Sequence, residues 1–215
     1  MAQAIVNEPA DRRKAHPRSD RRIIRTKRAL RRALIELIEE RGYDGFTVND
    51  LCKRADINRG TFYNHYRDKD DLLNSLETEF FEKLGDYQER MGDLSLVTLG
   101  KYMLTEQPLP LLVDLFTYLR EQGGFLHAVI GKGGDASFSG RLCDAVCTNF
   151  IQCILHERYR NSDDPFVGYY VAFFSNAYLG VITRWIETGM QESPEKMARI
   201  ATRLLFIKPG ESIEL

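Results

Sequence analysis

Apolar residues recur with a helical period along almost the whole chain. Leu30, Ala33, Leu34, Leu37 and Ile38 fall at i, i+3, i+4, i+7 and i+8, which predicts an amphipathic helix over about 21–41. Gly42 stands where a C-cap belongs, and Tyr43 and Phe46 are placed to plug a small core. Two short helices follow, about 48–55 and 59–66. Leu72, Leu73, Leu76, Phe80 and Leu84 carry a long one over about 69–91. Beyond it the pattern predicts helices at about 94–105, 109–122, 124–131, 138–159, 166–189 and 194–206. Prolines and glycines punctuate them. Ser193, Pro194 and Glu195 form a helix start of cap, first-turn proline and early acid. Neither a strand period nor an internal repeat stands out. The fold class is all-α: an N-terminal three-helix unit followed by a larger helical one. The expected divisions are a flexible basic arm at 1–20, a small domain at 21–68 and a helical domain at 69–215.

Residues 166–183 hold 18 positions without a charge, enough for a membrane-span candidate. Ser175 and Asn176 at the centre and Arg184 just beyond argue against a span, so no membrane is expected. A helix apolar all round is otherwise buried on all sides. Gly168, Ala172 and Ser175 form a small-residue strip opposite Tyr170, Phe174, Val181 and Trp185. That division suggests a helix shared between its own domain and a second copy.

Charge separates the two ends. Residues 1–76 carry 17 Lys/Arg and 12 Asp/Glu, a net +5. Residues 77–215 carry 13 and 19, a net −6. A basic first third suits a nucleic acid. The first helix has its Arg and Lys early and Glu36, Glu39 and Glu40 late, against the preference of the helix dipole. Proximity to DNA would supply a reason. Four unevenly spaced cysteines give no disulfide framework, and no signal-type run opens the chain, so a cytoplasmic protein with reduced thiols is expected.

The stretch that organises the chain is 47–73, TVNDLCKRADINRGTFYNHYRDKDDLL. Asp56 and Ile57 turn the chain between two short helices, and Asn58 is placed to cap the second. Two helices joined by so short a turn make a helix-turn-helix, whose second helix enters a DNA major groove. Phe62 and Tyr66, four apart, can lock that helix onto its domain. Arg59, Thr61, Tyr63, Asn64 and His65 can hydrogen-bond base edges or phosphates, and Gly60 lets the backbone come close. Lys69 opens the next helix, where a phosphate would fit. Cys52 is expected to be a small core residue.

This run resembles the DNA-binding motif of the TetR/AcrR family of transcriptional regulators. The resemblance is carried by Thr47, Ile57, Asn58, Gly60, Thr61, Phe62, Tyr63, His65, Tyr66, Lys69, Leu72 and Leu73. Asp56 stands where the family usually has Gly, and Asn58 replaces the capping Ser. Leu115–Phe138, together with Trp185, Ile186, Glu187, Gly189 and Ser193–Glu195, is similar to a C-terminal domain type in regulators related to the activator of the dihydroxyacetone-kinase operon. The resemblance implies a ligand-responsive regulator that binds a palindromic operator in double-stranded DNA as a homodimer. A small molecule would release a repressor. An activator of the same fold and a ligand-independent architectural DNA-binding protein remain open. Thr47, Tyr63 and Lys69 are assigned mainly to phosphates, and Arg59, Thr61, Asn64 and His65 to base contact.

In the second domain Phe116, Leu119, Phe125, His127, Phe150, Ile154, Phe173, Asn176 and Tyr178 are candidates to line an effector cavity. Cys143 and Cys147 share a helix face, and Cys153 and His156 another. That division favours buried structural thiols over a metal site. The Gly-rich run at 131–134 lacks P-loop spacing. No catalytic constellation appears, so neither enzymatic activity nor a cofactor is expected.

Overall fold

The computed structural model describes residues 17–204 apart from 93, 106, 132, 133, 136, 149, 150, 153, 154 and 156–162. The described residues are helical, without strands. The order is α1 (Pro17–Arg41), a 3₁₀ turn (Tyr43–Gly45), α2 (Val48–Ala55), α3 (Arg59–Tyr63), α4 (Lys69–Gly92), α5 (Leu96–Leu104), α6 (Pro110–Glu121), α7 (Gly123–Ile130) and α8 (Phe138–Leu142). A π-helical segment, Cys143–Thr148, continues α8. Then come α9 (Pro165–Glu187) and α10 (Pro194–Leu204).

Helix α1 starts four residues earlier than its apolar period suggests. Pro17 is the first helical residue rather than a breaker. Proline is tolerated there because a first-turn N–H has no intrahelical acceptor to lose. Most of the expected basic arm, residues 1–16, lies outside the described residues. The apolar face of α1 behaves as its spacing requires: Leu30, Ala33, Leu34, Leu37 and Ile38 are all buried. They share a core with Phe46, Leu51, Phe62, Tyr66 and Leu72. Arg54 of α2 clamps this core from outside by pairing with Glu36 at 3.1 Å and Glu40 at 2.7 Å.

Helix α1 also docks on the second half of the chain. Arg31 donates to Gln122 and lies over the Phe125 ring, and Glu39 meets His127 at 3.1 Å. Behind that seam, rings from α4, α6, α7 and α8 pack together. Phe80 stacks on Tyr118 at 5.6 Å and touches Phe125 and Phe138. Beside this cluster Glu77 of α4, only 4% exposed, pairs with Arg141 of α8 at 2.5 Å. Arg141 reaches Asp135 as well, at 3.0 Å. The second Glu77 oxygen has no hydrogen-bond partner among the described residues.

Helix α10 packs along α6, and α9 along the π-helical segment. Trp185 joins them, edge-on to Phe116 at 5.4 Å with its indole N–H on the Glu192 carbonyl. Gly189, in the left-handed region at φ 77°, ends α9. Within the single chain α9 is covered on one side only. Its fully buried side chains begin at Ser175, and none lies between Pro165 and Phe173. Phe166, Tyr169 and Phe173 are 70%, 77% and 69% exposed. Gly168 and Ala172 are exposed while Ser175 is buried, so the small-residue strip is split rather than covered. Helix α9 is long and apolar enough, by length and a mean hydropathy of 1.3, to cross a membrane.

Candidate nucleic-acid interface

Each helix of the motif is fixed by a cap written in its own sequence. At α2, Thr47 accepts from the Asp50 N–H, and the Asp50 carboxylate accepts from the Thr47 N–H at 3.0 Å and from its hydroxyl at 2.6 Å. This is a capping box. The Thr47 hydroxyl holds the Asp50 carboxyl below its usual range. At the far end Asp56 sits in the left-handed region at φ 53°, and its N–H returns to α2 carbonyls. Glycine is the usual residue for this conformation, and aspartate is one of the few others that adopts it routinely. Ile57 closes the turn on the Cys52 carbonyl at 3.0 Å.

Asn58 then caps α3, accepting from the Gly60 N–H at 2.9 Å. Helix α3 is shorter than the expected 59–66. It ends at Tyr63, and Asn64 and His65 form a turn. Tyr66, its N–H still on the Phe62 carbonyl at 3.0 Å, buries its ring beside Phe62, and the chain then bends so that Asp68 accepts from the Asp71 N–H at the start of α4. Phe62, fully buried, is the anchor. Around it Arg59, Gly60, Tyr63 and Asn64 are exposed, and Thr61 and His65 are half-buried. The Arg59 guanidinium donates to the Tyr63 hydroxyl at 3.4 Å and lies over its ring. The outward surface of α3 thus offers a cation, a phenol and an amide, with a glycine where backbone could approach a partner. The arrangement suits hydrogen bonding to an anionic, base-bearing surface.

Lys69 stands apart from α3. Its ammonium donates to the Tyr43 carbonyl at 2.8 Å and lies 4.4 Å from the Tyr43 ring and 5.1 Å from Phe46. The Tyr43 hydroxyl donates to Asp70, and burial followed by that contact pushes the phenol well above its usual range. Nothing in the spacing of Tyr43 and Lys69 announces this seat, because it depends on the 3₁₀ turn that brings the carbonyl round.

Residues 30–76 match the profile described as bacterial regulatory proteins, tetR family, and residues 106–206 match that of a transcriptional regulator C-terminal region. The chain belongs to the TetR family. Among relatives, it is 40% identical over 58 residues to an uncharacterised helix-turn-helix-type transcriptional regulator, YxbF, of Bacillus subtilis (strain 168), covering 26% of this chain and 15% of that one. It is 41% identical over 61 residues to the fatty acid metabolism regulator protein of the same organism, covering 28% and 30%. The matched regions thus span under a third of the length of these two relatives. A solved structure of the dihydroxyacetone kinase operon activator DhaS shares the fold, with a TM-score of 0.53 and 21% identity over 85% of this chain and 94% of that one.

The candidate effector residues of this TetR-family chain do not form one site. Phe116 and Tyr178 border a small apolar void with Met91, Leu115, Cys147 and Ile182. Its volume is about 20 Å³, room for roughly one water. The Tyr178 hydroxyl is spent on the Ala201 carbonyl. Leu119 and Phe125 are buried in the packed core but do not border the void. His127 faces Glu39 at the α1 seam. Asn176 is exposed and donates to the Ala172 carbonyl, and Phe173 points outward. Phe150, Ile154, Cys153 and His156 lie outside the described residues. Met91 and Cys147 were missed because they read as ordinary core positions. Burial pushes the Cys147 thiol far above its usual range and also raises Cys143. Among the described residues no cluster of three or more His, Cys, Asp or Glu could hold a metal. A second, larger cleft of about 470 Å³ lies between α1, α4 and α6, lined largely by charged side chains including Glu79, Glu82, Lys83 and Asp86. It is open and polar, the reverse of a mostly apolar effector cavity.

Proposed function

We propose that the protein is a homodimeric, cytoplasmic repressor that binds a palindromic operator and is released by a small-molecule effector. The observation that carries this is the state of α3. It is capped by Asn58, anchored by Phe62 and Tyr66, and left with Arg59, Gly60, Tyr63 and Asn64 on its outer surface. Arg59, Thr61, Asn64 and His65 take base edges, while Thr47, Tyr63 and Lys69 take phosphates. Two copies place their α3 helices in successive major grooves about 34–36 Å apart. The division near residues 68 and 69 separates the reading domain from the helical effector and dimerisation domain.

The exposed aromatic stripe of α9 supports dimerisation. Phe166, Tyr169 and Phe173, at i, i+3 and i+7, give an apolar surface that a second copy would cover. Phe173→Asp is expected to yield monomers by sedimentation and to abolish tight operator binding. A dimer that persists in this variant would remove the stripe from the interface. The void at Met91 and Phe116 supports an apolar effector site. Because it holds about one water, an effector enters only as the surrounding helices rearrange. Met91 and Lys69 both belong to α4, so that rearrangement reaches the motif.

The test is protection of the DNA upstream of the protein's own gene, titrated against salt. Tight, salt-sensitive protection of a palindrome, relieved by some compound in a screen, supports the proposal. Weak binding of equal strength to any duplex would replace it with an architectural role. A rise in transcription from the protected promoter would make the protein an activator.

A further inference from the structure

The N-terminal half of α1 carries a charge pattern that folding does not explain. From Arg21 to Ile35 there are seven Lys and Arg and no acid. Arg21, Arg25, Arg28 and Arg32 recur at i, i+4, i+7 and i+11. At 3.6 residues per turn they form one stripe about 16 Å long. It lies opposite the face that buries Thr26, Leu30, Leu34 and Leu37. All four arginines are exposed, as are Arg22 and Lys27. Of the four, and among the described residues, only Arg32 has a carboxylate within ion-pair distance, Glu36 at 3.9 Å. Among the described residues Arg21, Arg25 and Arg28 have no ion-pair partner.

Residues 21–25 are exposed on every side, Ile23 and Ile24 included, so this end of α1 stands clear of the core. The contacts of α1 with Gln122, Phe125 and His127 start only at Arg31. Like charges three and four apart destabilise a helix. An array that costs stability is compensated by an anion that lies along it. A duplex carries one phosphate charge per about 1.7 Å of axis, so a rod of that charge density matches a row of arginines.

We infer that the Arg21–Arg25–Arg28 stripe of α1 is a second DNA-binding surface, holding the phosphate backbone outside the groove read by α3. This rests on the DNA-binding proposal and extends it. The stripe adds affinity without sequence preference, because phosphates carry no base information.

The experiment compares the full chain with a variant bearing Arg21→Gln, Arg25→Gln and Arg28→Gln. The probe is a random-sequence duplex of about 40 base pairs, titrated by fluorescence anisotropy between about 50 and 200 mM salt. A control bearing Lys196→Gln, Arg199→Gln and Arg203→Gln removes the same charge from the exposed side of α10. Each phosphate contact contributes about 0.9 to the slope of log affinity against log salt. The α1 variant should therefore lose about 2.7 units of slope per protomer. Over that salt range its affinity falls about 40-fold less than that of the unaltered chain. Single Arg25→Gln should show about a third of that slope change. The control should match the unaltered chain.

Equal slopes in chain and α1 variant overturn the inference while leaving the α3 reading intact. Equal flattening in the control overturns it too, since bulk charge would then suffice. A change in self-association without DNA would assign the stripe to a second copy. Failure of the unaltered chain to bind any duplex would sink the parent proposal as well.

Discussion

Glu77 offers a direct test of how α4 is joined to α8. It is a buried carboxylate with one oxygen on Arg141 and the other without a hydrogen bond. Burial pushes its carboxyl above the ordinary value of 4.5. The Arg141 charge offsets part of that rise, and the Asp135 charge adds to it. A raised folded value means that the native state takes up this proton more readily than the unfolded chain does. The resulting stability is fully present below pH 4.5 and is lost as pH climbs through the folded value. At pH 8 the ionised group is therefore a net cost.

Glu77→Gln keeps the volume and offers an oxygen to Arg141 and an N–H to Asp135. Replacing a buried ion by a neutral group of similar shape is neutral or gains about 1–4 kcal/mol. The low end applies here, because Arg141 is about half exposed and keeps Asp135. A gain of about 1 kcal/mol in a chain of this size raises Tm by about 2–4 °C. Calorimetry of the chain and E77Q between pH 8 and about pH 4.5 should show that advantage at the alkaline end and its decay toward the acid end. A lower Tm for E77Q at pH 8, or an offset that ignores pH, would refute the reasoning. The Glu77–Arg141 pair would then be a net source of stability.

Asn58→Ala removes the only side-chain cap of a five-residue helix and should cost about 1 kcal/mol in a denaturant melt. Its operator affinity should fall by up to about tenfold as α3 frays; Asn58→Ser should restore both, and a melt unchanged in the alanine variant would deny the cap its role. Lys69→Ala should weaken binding to all sequences alike and reduce the salt slope by about one unit per protomer. An unchanged slope would mean that the Tyr43 carbonyl keeps that ammonium from phosphate.

The helices and the motif were legible because both rest on local rules. Leu30 to Ile38 had to share a face, and Asn58 had to cap what followed. Three features were not legible, each for a physical reason. Pro17 reads as a breaker unless it is known to be the first helical residue. The early end of α3 rests on the Asn64–His65 turn, where the His65 N–H shares the Phe62 carbonyl with that of Tyr66, a detail that residue spacing does not carry. The π-helical turns at Cys143–Thr148 leave the residue types unchanged, so no period betrays them. The candidate effector residues scattered because aromaticity marks core, seam and surface alike: Phe125 is core, Phe173 is surface, and only Phe116 and Tyr178 meet the void.

Helix α4 is 24 residues long and unbroken, about 36 Å from Lys69 to Gly92. A rod of that length works as a lever. A tilt of about 5° at the Met91 end moves the Lys69 end by about 3 Å, close to the 3.4 Å rise of one base step. Two such levers, swinging oppositely in a symmetric pair, would change the spacing of the α3 helices by nearly two steps. An operator is matched to one spacing, so a swing too small to disturb any core could still take the dimer out of register with its DNA.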